Sequence, residues 1–126
     1  AIFRDSDFVS LHAPLTAETE HLLGPDQFTK MKPTAFVINT ARGGIIDHEA
    51  LLEALTAGQI QGAALDVTDP EPLPDEHPLI LHEKVIHTPH AAFSSEESVA
   101  ELRQRTAQEV VRILKGEAPE NQVNVT

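Results

Sequence analysis

The chain has 126 residues and a formal net charge of −11, from nine Lys and Arg against twenty Asp and Glu. This length suffices for one packed domain but not for two full ones, and the negative field repels phosphate backbones and anionic membrane surfaces, so we expect neither nucleic acid nor membrane as a partner. Cysteine is absent, which excludes disulfides, thiolate metal sites and thiol nucleophiles and favours a cytoplasmic location.

The pattern of apolar runs predicts an α/β protein. The first residues, Ala-Ile-Phe-Arg, resemble the end of a helix, so we expect a fragment of a longer protein. Short apolar runs bounded by turn residues predict strands at 8–11, 35–38, 63–67 and 85–86. These runs show little alternation, which is typical of parallel strands covered on both faces by helices. Strands alternating with helices predict right-handed crossovers.

Two helices are predicted between the strands. Pro25 suits a first helical turn, so residues 26–31 are expected to form a short helix. Asp47 is a candidate N-cap for a helix over 49–57, and Gly58 is the candidate stop. The segment after the third strand, residues 69–78, contains four prolines and predicts a loop.

The last helix is predicted to be the longest. Ser94 and Glu97 form a candidate capping box, apolar residues follow at steps of three and four, and Gly116 ends the pattern. A helix of about 21 residues spans roughly 30 Å, more than a small sheet needs, so we expect its far end to pack on another domain or subunit. We therefore predict two regions, 1–94 and 95–126.

Reactive side chains cluster just after the predicted strands. Arg42, Asp66 and His90 each follow a different strand and are separated by 24 residues. Ligands of open parallel sheets bind at the carboxyl ends of the strands. Since neighbouring strands are about 4.8 Å apart, these three groups are predicted to lie within roughly 10 Å of one another.

Each of these groups also has a structural interpretation. Arg42 can be a surface or capping residue, although the following Gly43-Gly44 pair lets backbone approach a ligand closely. Asp66 can bind loop amides, and His90 can fill the entry to the last helix. By position alone, Glu71 is a solvated carboxylate of a proline-rich loop.

The histidines do not form a metal site in this interpretation. His87 and His90 have a His-x-x-His spacing, but Pro89 between them breaks the helical geometry that would direct both rings at one ion. We predict no metal site. The remaining histidines lack a partner pattern and are interpreted as surface or structural residues; they are His12, His21, His48, His77 and His82.

Together, four sequence blocks resemble one enzyme family. They are Asp-Phe-Val-Ser-Leu-His-Ala-Pro-Leu-Thr at 7–16, Asn-Thr-Ala-Arg-Gly-Gly-Ile-Ile-Asp at 39–47, Gly-Ala-Ala-Leu-Asp-Val at 62–67 followed by Glu71-Pro72, and Thr-Pro-His at 88–90. In this order and spacing the chain resembles the D-isomer-specific 2-hydroxyacid dehydrogenases. The resemblance implies the C-terminal half of a Rossmann-type parallel sheet with flanking helices and a long C-terminal helix.

The resemblance also implies an activity and its catalytic residues. Members of this family transfer a hydride between NAD(H) and the C2 carbon of a 2-hydroxy or 2-oxo acid. Arg42 corresponds to the arginine that holds the substrate carboxylate and carbonyl, a task that suits the guanidinium fork. His90 corresponds to the general acid/base, and Glu71 to the carboxylate that pairs with it and favours imidazolium.

The cofactor is implied by the same resemblance. The residues implied in NAD binding are Ala13, Thr40, Ala41, Arg42, Asp66, His90 and Ala92. The glycine-rich turn that binds the pyrophosphate, and the acidic residue about 20 positions later, are not in this sequence. NADP(H) therefore stays open as the alternative cofactor. We expect the isolated chain to be inactive, and the full-length protein to be a homodimer.

One departure from the family suggests an alternative function. Where the family tends to have a glycine soon after the catalytic histidine, this chain has Ala91-Ala92-Phe93. That pattern is similar to a subgroup that includes the C-terminal-binding-protein corepressors and related bacterial dehydrogenases. The alternative is thus an NAD-sensing, dimeric scaffold. Phe93 borders the substrate pocket or packs at the helix entry.

Overall fold

A computed structural model describes residues 2–123, which divide into two compact units with the boundary in the chain between residues 92 and 93. The helices are α1 (Ile2–Asp5), α2 (Pro25–Phe28), α3 (His48–Thr56), α4 (Pro78–Leu81) and α5 (Glu96–Leu114). The strands are β1 (Phe8–Leu11), β2 (Phe36–Asn39), β3 (Gly62–Leu65) and β4 (Val85–His87). A single 3₁₀ turn at Gly43–Ile45 separates β2 from α3.

The first unit is an α/β sheet, as predicted. All of its strand pairs are parallel, and the order β1-β2-β3-β4 follows the sequence. Each crossover places one helix between consecutive strands, so every strand has its carboxyl end at the same edge. The register aligns Leu11 with Asn39, Asn39 with Leu65, and Leu65 with His87. The segments that follow these residues therefore begin side by side.

The core lies on one face of the sheet. The inward residues of β1 to β3 pack with α2, α3 and α4, around fully buried residues such as Phe28, Val37 and Leu51. Full burial of such a side chain stabilises the fold by roughly 1.5–3 kcal/mol relative to its exposure to water.

The prediction that helices cover both faces of the sheet was wrong for the described residues. Burial alternates along β1 and β2, and on the other face Phe8 and Ile86 are 67% and 69% exposed.

Local capping signals place most helix ends. Asp47 is the N-cap of α3 and accepts a hydrogen bond from the Ala50 amide, as predicted. The cap of α5 was misassigned by one residue. Ser95, not Ser94, is its N-cap and pairs reciprocally with Ser98, because the Ser98 hydroxyl reaches back to the Ser95 amide. The predicted loop also ends in a short helix, α4, which starts at Pro78.

The second unit consists of α5 and the segment that follows it. None of the α5 residues is buried. After Gly116, whose φ is +77°, the chain turns back along the helix, and the Glu109 carboxylate accepts the Glu120 amide. Arg112 adds ion pairs of 3.6 and 3.5 Å with Glu117 and Glu120. Within residues 2–123, no helix has the length and apolar character to cross a bilayer.

Candidate active site

The carboxyl edge of the sheet holds two cavities. The first, of about 280 Å³, is lined by Asp66, Thr68, Glu71, Pro72, His87, Thr88, Pro89 and His90. The second, of about 740 Å³, is lined by His12, Ala13, Pro14, Leu15, Thr40, Ala41 and Arg42. The two share no lining residue. The structure thus brings Asp66, Glu71 and His90 together, while Arg42 lies with the residues that follow β1 and β2.

Asp66 organises the first cavity. It directly follows β3 and is only 5% exposed. Its Oδ1 accepts the Thr88 hydroxyl at 2.6 Å and the Ala91 amide at 2.9 Å, and its Oδ2 accepts the Ala92 amide at 3.0 Å. Its backbone carbonyl accepts the His90 amide at 2.8 Å. One aspartate therefore holds the whole turn that carries His90.

The electrostatics of Asp66 follow from these contacts. Burial by itself raises the pKa of Asp66. The hydrogen bonds from Thr88, Ala92 and Ala91 and the proximity of His90 lower it, and the net shift is below the ordinary value. The carboxylate is therefore charged at neutral pH and is a strong acceptor for the two amides.

His90 and Glu71 form a close pair. The His90 Nδ1 lies 2.6 Å from the Glu71 Oε1, and the two side chains are 41% and 40% exposed. Because a carboxylate accepts hydrogen bonds, Nδ1 carries the proton of this contact. His90 has a φ of +52°, a left-handed conformation that the Asp66 hydrogen bonds stabilise. Glu71 thus contacts Nδ1 rather than Nε2 of this ring.

Arg42 belongs to a differently built loop. The side chain of Asn39, which is fully buried at the end of β2, accepts the Ala41 amide and donates to the Arg42 carbonyl. These two bonds shape residues 40–42 and leave the Arg42 side chain exposed. Its Nη1 donates to the Ala41 carbonyl at 2.6 Å. The guanidinium thus projects at the sheet edge, where it can bind an anion.

Gly43 packs the Arg42 loop against the segment leading to Glu71. A Cβ at Gly43 would lie 2.0 Å from the Thr68 carbonyl carbon and 2.6 Å from the Asp69 nitrogen. Only a residue without a side chain permits this approach. The separation between the two loops is therefore set by direct backbone contact.

Three polar residues of the site were missed or underrated by the sequence interpretation. Thr88 binds Asp66, and Asn39 shapes the Arg42 loop. His48 was interpreted only as a surface or structural residue; its Nδ1 contacts the Asp69 carbonyl at 3.1 Å and its Nε2 is buried, which agrees with a structural role. A polar residue at the end of a buried strand was the available signal for Asn39. No local pattern pointed to His48.

A family comparison identifies this arrangement. The model of the D-isomer specific 2-hydroxyacid dehydrogenase NAD binding domain matches residues 1–92. The chain belongs to this family. The domain description and a related structure solved with NAD establish NAD as the cofactor of this type of domain.

Individual relatives of the NAD-binding domain differ in the substrates that they are named for. The chain is 45% identical to a glyoxylate reductase of Korarchaeum cryptofilum, over 98% of this chain and 37% of that protein. It is also 45% identical to a D-3-phosphoglycerate dehydrogenase of Methanocaldococcus jannaschii, over 95% and 23% of the two chains. This chain thus spans well under half of the length of these relatives.

The sheet is also similar to solved structures. A D-isomer specific 2-hydroxyacid dehydrogenase from Lactobacillus delbrueckii ssp. bulgaricus, in its NAD complexed form, superimposes with a TM-score of 0.86. The identity is 36%, and the match covers 97% of this chain and 41% of that one. The fold prediction is confirmed.

The residues of the second cavity fit part of such a cofactor. Ala13 and Ala41 are small, so they leave a cavity at the carboxyl ends of β1 and β2 in which a flat ring can lie close to the backbone. Asp66 is less open to a ligand, because its oxygens already accept three hydrogen bonds. Among residues 2–123, no three His, Asp or Glu side chains are grouped to hold a metal ion.

Proposed function

We propose that the protein containing this chain is an NAD-dependent D-2-hydroxyacid dehydrogenase, and that the chain supplies its general acid/base and its carboxylate-binding arginine. The observation that carries the proposal is the 2.6 Å contact between His90 Nδ1 and Glu71 Oε1 at the carboxyl edge of the sheet. A histidine oriented by a carboxylate at a ligand-binding edge is suited to proton transfer.

His90 is the proposed proton donor to the substrate oxygen. Glu71 engages Nδ1, so Nε2 is the nitrogen that gives a proton to the C2 carbonyl oxygen during reduction and removes it during oxidation. The Glu71 carboxylate orients the ring through its contact with Nδ1. Asp66 acts indirectly, because its hydrogen bonds fix the turn from which the His90 ring projects.

Arg42 is the proposed anchor for the substrate carboxylate. Its planar guanidinium can donate two parallel hydrogen bonds to a carboxylate, which also orients the adjacent carbonyl. Its exposure at the carboxyl end of β2 leaves it accessible to such an anion. This chemistry selects 2-oxo acids as a class.

The residues proposed to hold NAD lie on both sides of this edge. Ala13, Thr40, Ala41 and Arg42 line the cavity proposed for the nicotinamide end. Asp66 and His90 line the other cavity of this edge, and Ala92 lies in the turn that Asp66 holds. When bound, NADH supplies the hydride that reduces C2. The relatives named for glyoxylate and for phosphoglycerate support a small 2-oxo or 2-hydroxy acid as the substrate. Homodimerisation, from the family resemblance, and a cytoplasmic location, from the absence of cysteine, are further proposals.

Steady-state kinetics of the full-length protein test the proposal. With NADH and a panel of glyoxylate, hydroxypyruvate and pyruvate, we expect one or more of the acids to be reduced. We expect His90→Gln to lower kcat by about 10²–10⁴-fold. His82→Gln is the matched control, because His82 precedes β4 at the opposite edge of the sheet and accepts the Lys84 amide. Unchanged turnover in the His90 variant would refute the mechanism, and NAD-dependent partner binding without reduction would favour the scaffold.

A further inference from the structure

His48 contacts the loop that carries Glu71. It is the first residue of α3, and its Nδ1 lies 3.1 Å from the Asp69 carbonyl oxygen, two residues before Glu71. The residue is half-buried, and Nε2 is buried without a hydrogen-bond partner. The proton-transfer chemistry described above leaves this imidazole without a role.

The contact defines one state of the His48 ring. A carbonyl oxygen can only accept, so Nδ1 must carry the proton and donate it to Asp69. Burial lowers the pKa of His48, with a smaller contribution from His77, while the Asp69 carbonyl and the Asp69 and Asp47 carboxylates act in the opposite direction. In the neutral ring Nε2 is a bare acceptor. A second proton there would be a buried donor without an acceptor.

Near Glu71 the loop has no regular secondary structure, although Gly43 packs on the Thr68 and Asp69 backbone just before it. Residues 69–72 form no strand or helix, so no ladder of hydrogen bonds holds them. Within the loop, the Thr68 hydroxyl donates to the Pro70 carbonyl at 3.0 Å. Pro70 and Pro72 flank Glu71 and restrict the backbone on either side of it. A position imposed at the Asp69 carbonyl therefore also constrains the Glu71 backbone, from which the carboxylate extends to His90.

We propose that His48 is a positioning residue: by holding the Asp69 carbonyl it places the Glu71 carboxylate against His90 Nδ1. This inference deepens the proposed function and rests on it for its catalytic meaning. The contact between Glu71 and His90, however, is measurable without turnover. The atoms in series are His48 Nδ1, the Asp69 carbonyl oxygen, Glu71 Oε1 and His90 Nδ1.

The tautomer of His90 is the appropriate readout. At a pH where the ring is neutral, long-range ¹H–¹⁵N spectra of the 126-residue chain distinguish the Nδ1–H form, which pairs with Glu71, from the Nε2–H form. We expect the Nδ1–H form to predominate in the unmodified chain. In His48→Leu the ratio of Nδ1–H to Nε2–H is expected to fall by about threefold to tenfold, as loss of one hydrogen bond implies. Glu71→Gln is the positive control for the loss of the carboxylate.

Two further variants separate positioning from general packing. The amide nitrogen of His48→Asn can take the place of Nδ1 and is expected to preserve the ratio. The longer His48→Gln places its amide near the position of Nε2 and is expected to lower the ratio like His48→Leu. If His48→Leu does not fold, the comparison of Asn with Gln decides the question.

Two results would overturn the inference. The first is an unchanged His90 tautomer ratio in a folded His48→Leu chain, and the second is equal ratios in the Asn and Gln variants. A full-length protein that reduces no 2-oxo acid would instead refute the proposed function and leave the tautomer result standing. In an active enzyme, we expect His48→Leu to lower kcat while KM for the 2-oxo acid changes little, since Arg42 is untouched.

Discussion

The two loops at the carboxyl edge of the sheet are built on different principles. The turn that carries His90 is held by one buried carboxylate, which accepts a hydroxyl and two amides. The loop that carries Arg42 is held through its backbone by the Asn39 side chain, and its guanidinium is exposed. The proposed proton-transfer group is thus preorganised by the chain itself, whereas the proposed anion-binding group is exposed.

The largest loss of stability is expected from a substitution at Gly43, where the two loops touch. Gly43→Ala would place a Cβ 2.1 Å from the Thr68 carbonyl oxygen, so one backbone segment must move. We expect the free energy of unfolding, measured with urea, to fall by about 3 kcal/mol. Gly24→Ala is the control, because its Cβ would lie 3.6 Å from the nearest atom. Equal stability of the two variants would show that the loops are not in rigid contact.

A smaller loss is expected from the carboxylate that holds the His90 turn. In Asp66→Asn, an amide nitrogen replaces one of the two carboxylate oxygens. If it replaces Oδ1, the Thr88 hydroxyl and the Ala91 amide lose their acceptor, and if it replaces Oδ2, the Ala92 amide does. An unsatisfied or opposed buried donor costs about 2 kcal/mol in unfolding free energy. Asp26→Asn, at an exposed position in the first turn of α2, is the control and is expected to change little. A stable Asp66 variant would argue against preorganisation.

The pH dependence of stability separates His48 from Asp66. The pKa of His48 is lower in the folded chain than its ordinary value of 6.5, chiefly because of burial. The contribution of the neutral His48 ring to stability is therefore fully present above pH 6.5 and declines as the pH falls below it. The pKa of Asp66 is lowered from 3.8, because its hydrogen bonds outweigh burial, so its contribution is lost only below pH 3.8.

Urea unfolding between pH 3 and pH 8 measures the loss of stability in both pH ranges. His48→Asn is expected to remove the decline that begins below pH 6.5, and Asp66→Asn the decline at lower pH. The groups that face His48, namely His77, Asp69 and Asp47, are retained in both variants. A His48 variant that keeps the full acid decline would show that the ring is not held neutral by the fold.

The smallest effect on stability is expected at Arg42. Its side chain is exposed, and the loop around it is shaped by Asn39, so Arg42→Leu should change the unfolding free energy by less than about 0.5 kcal/mol. The same variant of the full-length protein should bind 2-oxo acids more weakly. A destabilised Arg42→Leu chain would mean that the guanidinium itself supports the loop.

Much of the fold was readable from local patterns. The strands, the Asp47 cap and the stop at Gly58 depend on residues close to one another in sequence, and the structure has all of them within a few residues of their predicted positions. Where these patterns were weak, the predictions erred. Ser94 and Ser95 are equally good caps in isolation, and the geometry with Ser98 selects Ser95.

By itself, the sequence determined that this is an α/β chain of the D-2-hydroxyacid dehydrogenase type, with Arg42, Asp66 and His90 just beyond three parallel strands. Only the tertiary structure decided that Asp66 holds the His90 turn, that Gly43 packs on Thr68, and that His48 contacts the Glu71 loop. The reason is physical. Helix and strand patterns arise from neighbouring residues, whereas these contacts join residues 21 to 25 positions apart across loops whose path no periodicity encodes.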